Sequence, residues 1–179
     1  MTTYVAFLRG VNLGPHQKVA MPRLAELGRE LGYEDVWTWV NSGNLVLTTS
    51  RPAGDVEREV ASALERELAT RIDVAVRSAE ELVALLGTNP FPDGSPSRVT
   101  VAFLTGPAPD GVAGRLAEVA TGAEPFVVAA REVWVHYSDG IADSRLAAGF
   151  IRLVGVSATT RTLGTVTRIV DKIKKRAEA

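Results

Sequence analysis

The chain of 179 residues has no cysteine and only two histidines. Without cysteine there is no disulfide, no thiolate nucleophile and no thiolate metal ligand, which fits a reducing cytoplasm. His16 and His136 have no carboxylate or second histidine at ligand spacing, so neither a metal nor a cofactor is expected. Long apolar runs are also missing. No stretch approaches the ~18 consecutive apolar residues of a membrane helix, and no basic leader precedes the first strand, so a soluble, unprocessed cytoplasmic protein without membrane contact is expected. The formal net charge of −1 shows no marked excess of either sign and argues against a general polyanion binder. Nucleic acid is accordingly not an expected partner.

What is present is a strand used twice. Val5 to Gly10 reads Val-Ala-Phe-Leu-Arg-Gly, and Val101 to Gly106 repeats it as Val-Ala-Phe-Leu-Thr-Gly. Val5 and Phe7 alternate with Ala6 and Leu8, so both faces are apolar and the strand belongs in the middle of a sheet. A long loop follows from Gly10 to Ala20. Pro22 suits the first turn of a helix carrying Leu24, Leu27 and Leu31, which Gly32 ends. Val36 to Val40 and Leu45 to Thr49 form a hairpin across Asn41-Ser42-Gly43-Asn44. Asp55 is positioned to cap a helix with Val56, Val60, Leu64 and Leu68 on one stripe, and Ile72, Val74 and Val76 make a fourth strand. Ser78 and Glu81 have capping-box spacing for a further helix.

Residues 89–97, rich in Pro, Gly and Ser, form the best internal boundary. Beyond it come a strand from Val99, a helix from Val112 to Ala120, strands near Phe126 and Val133, a helix through Leu146 and Phe150, a strand at Ala158 and a last helix. Each half reads βαββαβ plus a helix, the split-βαβ order of a ferredoxin-like sheet. The expected fold is therefore α+β, with two ferredoxin-like repeats, 1–92 and 97–179, packed into one compact body. The falling offset between matching residues makes the loop at 10–20 an addition to a duplicated core.

Four ordered motifs carry a family resemblance: Arg9-Gly10 through Asn12, Gly14, Lys18 and Met21; Ser42-Gly43-Asn44; Asn89-Pro90-Phe91; and Ala158-Thr159-Thr160-Arg161 with Thr165-Val166. The chain resembles the bacterial proteins catalogued as domain of unknown function 1697. The resemblance implies two ferredoxin-like repeats and no known activity. The chain departs from the family pattern at Pro15-His16 and at Thr162-Leu163.

No motif of defined chemistry accompanies the repeat. Ser42 lacks a nucleophile elbow and reads as a turn residue. Gly10 and Gly14 suggest a phosphate cradle but form neither established glycine-rich run. Trp37 and Trp39 share a face, which reads as core at the repeat interface or as a base-stacking platform. Arg77 and Arg161 end equivalent strands, either as paired ligand contacts or as charges that a strand end tolerates.

Charge placement is more informative. Residues 1–23 hold Arg9, Lys18 and Arg23 and no acid, whereas residues 152–176 hold seven basic residues against Asp171 alone. The second run suits a basic last helical turn. The first motivates a binding module for a phosphate-bearing or other anionic small ligand, with Arg9, Asn12 and Lys18 as the site and Arg161 joining if the repeats pack end against end. The alternatives are an enzyme acting on a small anionic substrate through electrostatic groups, and a protein-interaction or dimerisation module. With the third strand parallel to the first, Asn44 falls beside Tyr4 with Arg77 near it, and Arg9 lies ~17–20 Å away at the far end.

Overall fold

A short apolar run rich in β-forming residues makes Thr2–Leu8 a strand, β1, and its two apolar faces draw it to the centre of a sheet. The computed structural model describes residues 1–12 and 17–178. It divides into two units, Met1–Ala84 and Leu85–Ala179.

In the first unit β1 is followed by α1 (Met21–Glu30), β2 (Glu34–Thr38), β3 (Asn44–Thr49), α2 (Ala53–Leu68), β4 (Val74–Ser78) and the start of α3 (Ala79–Gly87). The strands form a four-stranded antiparallel sheet in the order β2-β3-β1-β4. Ala6 and Leu8 meet Leu45, Leu47, Val74 and Val76 across one face, and the stripes Leu24-Leu27 of α1 and Val56-Val60-Leu64 of α2 complete that core. Val5 and Phe7, on the other face, are as fully buried.

The second unit comprises β5 (Val99–Leu104), α4 (Val112–Ala117), β6 (Phe126–Val128), β7 (Glu132–His136), α5 (Arg145–Val154), β8 (Ala158–Thr162) and α6 (Leu163–Ala177). Its sheet is also four-stranded and antiparallel, in the order β6-β7-β5-β8. Ala102, Leu104, Val133 and Val135 pack with Leu116, Leu146, Phe150 and Val154. Val5 to Leu8 and Val101 to Leu104 thus hold the same central position in their own sheets. The registers correspond too: Val5 pairs with Val46 and Arg77, and Val101 with Trp134 and Arg161.

The direction of β3 corrects the sequence reading. β3 runs antiparallel to β1, with Asn44 opposite Phe7 and Leu8 N donating to Gly43 O at 2.9 Å. The reason is connectivity: α1 returns the chain along the sheet so that β2 runs with β1, and the tight turn after β2 reverses β3. Arg9 and the Ser42-Gly43-Asn44 turn therefore share one end of the sheet. Arg77 lies opposite Val5, away from that end.

Smaller expectations also meet their physics here. Pro22 sits in the first turn of α1 and Gly32 follows it at φ +80°. Asp55 is not the cap of α2: Pro52 holds that place with the extended backbone proline favours, and Asp55 pairs with Arg58 in the first turn. Residues 89–97 belong to the second unit. Val99 N and Gly164 N bond to the carbonyls of Ser95 and Pro96, and the Phe91 ring lies 5.8 Å from that of His136. No described helix is long and apolar enough to cross a membrane.

The capping box is present in full. Ser78 N donates to Glu81 Oε2 at 2.6 Å, and Glu81 N donates to Ser78 Oγ at 3.1 Å. Ser78→Ala is expected to lower stability by about 1 kcal/mol by chemical denaturation, the usual worth of such a cap. Ser78→Thr, which keeps the acceptor, should not.

Candidate functional site

Three segments converge at the end of the first sheet: the chain leaving β1, the turn between β2 and β3, and the residues entering β4. Arg9 N donates to Asp73 O at 2.9 Å, and Arg9 Nη1 lies 3.1 Å from Asp73 Oδ2. Arg71 Nε lies 3.5 Å from Asp73 Oδ1. Two guanidinium groups thus share one carboxylate. Lys18, close by in the chain, is exposed.

Asn12 does a different job from the one its residue type suggested. Its Nδ2 donates to Val19 O at 2.9 Å and to Asn41 O at 3.0 Å, and its Oδ1 accepts from Val19 N at 3.0 Å. Both polar atoms of its side-chain amide are engaged, closing the loop on Val19 and clasping it to the hairpin turn at Asn41, so Asn12 shapes the site and has little capacity left for a ligand. Its φ of +59° is one that asparagine tolerates better than most residues. Gly14, Pro15 and His16 lie outside the described residues.

The hairpin turn is held as firmly. Asn44 is fully buried, and its Nδ2 donates to Trp39 O at 2.8 Å and Ser42 Oγ at 3.1 Å. Val40 adopts φ +50°, an uncommon and strained backbone for a β-branched residue. Ser42 is thereby a structural member of the turn. Trp37 and Trp39 are half-buried and lie outside the core formed by the sheet and its two helices.

Arg23 does not add to a positive field. It forms ion pairs with Glu26 and Glu30 on α1 and with Glu67 on α2, the last of which ties the two helices together, and all three hold its guanidinium proton more tightly than usual. The absence of acids in residues 1–23 therefore overstated the free charge, because the neutralising groups arrive from elsewhere in the fold. Arg161 belongs to the second unit. Its side chain is buried, donates to Thr159 Oγ1 at 2.8 Å and Thr160 O at 3.0 Å, and is pushed down to about 10 by burial. Arg77 is buried as well and donates to Val76 O.

Thr162 and Leu163, where the chain departs from the family pattern, have local roles. Thr162 accepts from Thr165 N as the cap of α6, and Leu163 is buried. His136 stands against Phe91. A concavity of about 500 Å³ in the second unit is bordered by Glu124, Asp139 and Asp143 against Arg145, a charge balance that repels an anion. Asp73 and Arg71 are the site residues that sequence reasoning missed. Asp73 is 64 residues from Arg9, and only strand pairing brings it there.

No curated protein matches the chain significantly. Among solved structures, it is similar to the conserved bacterial protein SP0830 from Streptococcus pneumoniae. The two are 21% identical with a TM-score of 0.78, over 95% of this chain and 97% of that one, a likeness of fold alone. The profile of the family described as "Protein of unknown function (DUF1697)" matches residues 1–134, and over that length, which holds both copies of the repeated strand, the chain belongs to this family.

Proposed function

We propose that the chain is a cytoplasmic binding module for a small ligand carrying phosphate or another anionic group, received at the end of the first sheet by Arg9 and Lys18. The observation that carries this reading is the convergence there of Arg9 and Arg71 on the single carboxylate of Asp73, which leaves the cluster net positive; Lys18 is exposed at the end of the loop that follows Arg9. Guanidinium groups suit bridging anions. Asn12 and the Ser42-Gly43-Asn44 turn are the scaffold that holds the loop. Arg161 is not needed.

The supporting architecture is read as a duplication of a ferredoxin-like βαββαβ unit. The matching strand orders, and the matching rows Val46–Val5–Arg77 and Trp134–Val101–Arg161, support that reading.

Thermal-shift screening of phosphorylated metabolites tests the function. A ligand at a hundred times its Kd stabilises by about 2.7 kcal/mol, which corresponds to roughly 5–10 °C for a chain of this size. Lys18→Ala, at an exposed position, should leave the unliganded Tm unchanged and weaken the ligand on the order of tenfold. If no phosphorylated compound stabilises the parent, or Lys18→Ala keeps the full shift, the reading fails. Mass analysis of the recovered ligand separates binding, in which it is unchanged, from turnover.

A further inference from the structure

Arg9 and Arg71 meet Asp73 each on its own carboxylate oxygen, Arg9 Nη1 at 3.1 Å from Oδ2 and Arg71 Nε at 3.5 Å from Oδ1. Two guanidiniums bridged through separate oxygens of one anion is how proteins grip a carboxylate or a phosphate, except that here the anion is internal. The side chains of Arg9 and Arg71 are 43% and 85% exposed, whereas that of Asp73 is 22% exposed. The carboxylate lies under two cations that face solvent. Ion pairs so exposed are worth little, so exchange of the acceptor costs little. A doubly charged phosphate group attracts the same pair of cations more strongly than a singly charged carboxylate does.

We infer that Asp73 is an internal competitor: it holds Arg9 and Arg71 in place until a phosphate group takes its position between them. This rests on the anion site proposed above and adds Arg71 as a ligand-binding residue and Asp73 as the group that sets the affinity. The backbone of Asp73 contributes separately, because its carbonyl, not its carboxylate, accepts from Arg9 N. The carboxylate can therefore be neutralised while that backbone bond is retained.

Calorimetric titration of the full chain with pyrophosphate tests the inference, using the parent, Asp73→Asn and Arg71→Gln. Removing the competing charge is expected to tighten pyrophosphate on the order of tenfold at low salt, and 0.5 M salt should shrink that gain. Arg71→Gln should weaken it several-fold. The competitor role is overturned, with the anion site left standing, if the parent binds pyrophosphate while Asp73→Asn binds it equally or more weakly. Unchanged affinity in Arg71→Gln removes Arg71 from the site. Absence of binding by both the parent and Asp73→Asn sinks the inference and the anion site together. If Asp73→Asn fails to fold, Arg71→Gln, changed at a solvent-exposed side chain, still decides whether Arg71 grips the ligand.

Discussion

Gly43→Ala is expected to lower the Tm by about 5–15 °C, the loss of roughly 2–4 kcal/mol for a chain of this length. Two effects combine. Gly43 has φ +76°, which an L side chain adopts only at a cost of about 1 kcal/mol. An added Cβ would also stand 2.4 Å from Val11 Cγ2 and 2.9 Å from Leu8 Cβ. Leu8 and Val11 are both buried, so neither has room to retreat. The damage should spread to the loop that Asn12 clasps, because Gly43 and Asn41 belong to the same turn. Faster proteolysis after β1 in Gly43→Ala would show this. Gly87→Ala is the control: a Cβ there meets nothing within 4 Å and φ is not positive, so the Tm should move little. A Gly43→Ala variant as stable as the parent would refute this account of the turn.

Glu124 should be as sensitive, through hydrogen bonding and charge. The residue is 7% exposed, and its carboxylate accepts from Thr121 N at 3.0 Å, Thr121 Oγ1 at 3.2 Å and Ser144 Oγ. Ser144 in turn caps α5 by accepting from Ala147 N at 2.9 Å, so the carboxylate ties the turn before β6 to the start of that helix. Burial pushes the Glu124 carboxyl up, but the three donors outweigh it and hold it below the usual carboxylate range. Glu124→Ala is expected to cost about 2–4 kcal/mol, since it abandons hydrogen bonds to a charged group and leaves Thr121 donors unpaired. Glu124→Gln should cost nearly as much, because its amide NH2 adds donors where donors already point.

The pH dependence follows from the same depression. Because the unfolded state takes up the proton first, the contribution of Glu124 is complete above about pH 5 and is lost as pH falls through the lower, folded value. Denaturation at pH 7 and pH 4 should show the gap between parent and Glu124→Gln narrowing at the lower pH. Glu59 and Glu67 are also held low and titrate in both proteins, so the difference isolates Glu124. A gap that stays constant with pH would overturn the assignment.

Much of the fold was legible because it depends on short-range regularities. The double alternation of Val5 to Leu8 placed β1 at the centre of its sheet, and its recurrence at Val101 placed β5 likewise. Four-residue recurrence located the buried stripe of α2 at Val56, Val60 and Leu64, and the Ser78 to Glu81 spacing located a capping box. Each of these signals lies within a few residues of the atoms it positions, so backbone geometry alone carries it into structure. The motifs that carried the family resemblance were equally plain.

The candidate site was legible only in its basic residues. Arg9 and Lys18 could be named from the chain, but their surroundings depend on which strands pair, and pairing is a property of the closed sheet. β3 runs antiparallel to β1, which brings the Ser42-Gly43-Asn44 turn to Arg9, and β4 then delivers Asp73 and Arg71 to the same end. Long-range partners likewise turned Arg23 into the centre of an ion-pair cluster and drew Asn12 into the scaffold. By itself the sequence determined the elements, the repetition and the family. Only the tertiary structure decided which charges remain available, because a charge is neutralised by whatever lies within a few ångströms of it, and that neighbourhood is assembled from residues dozens of positions apart.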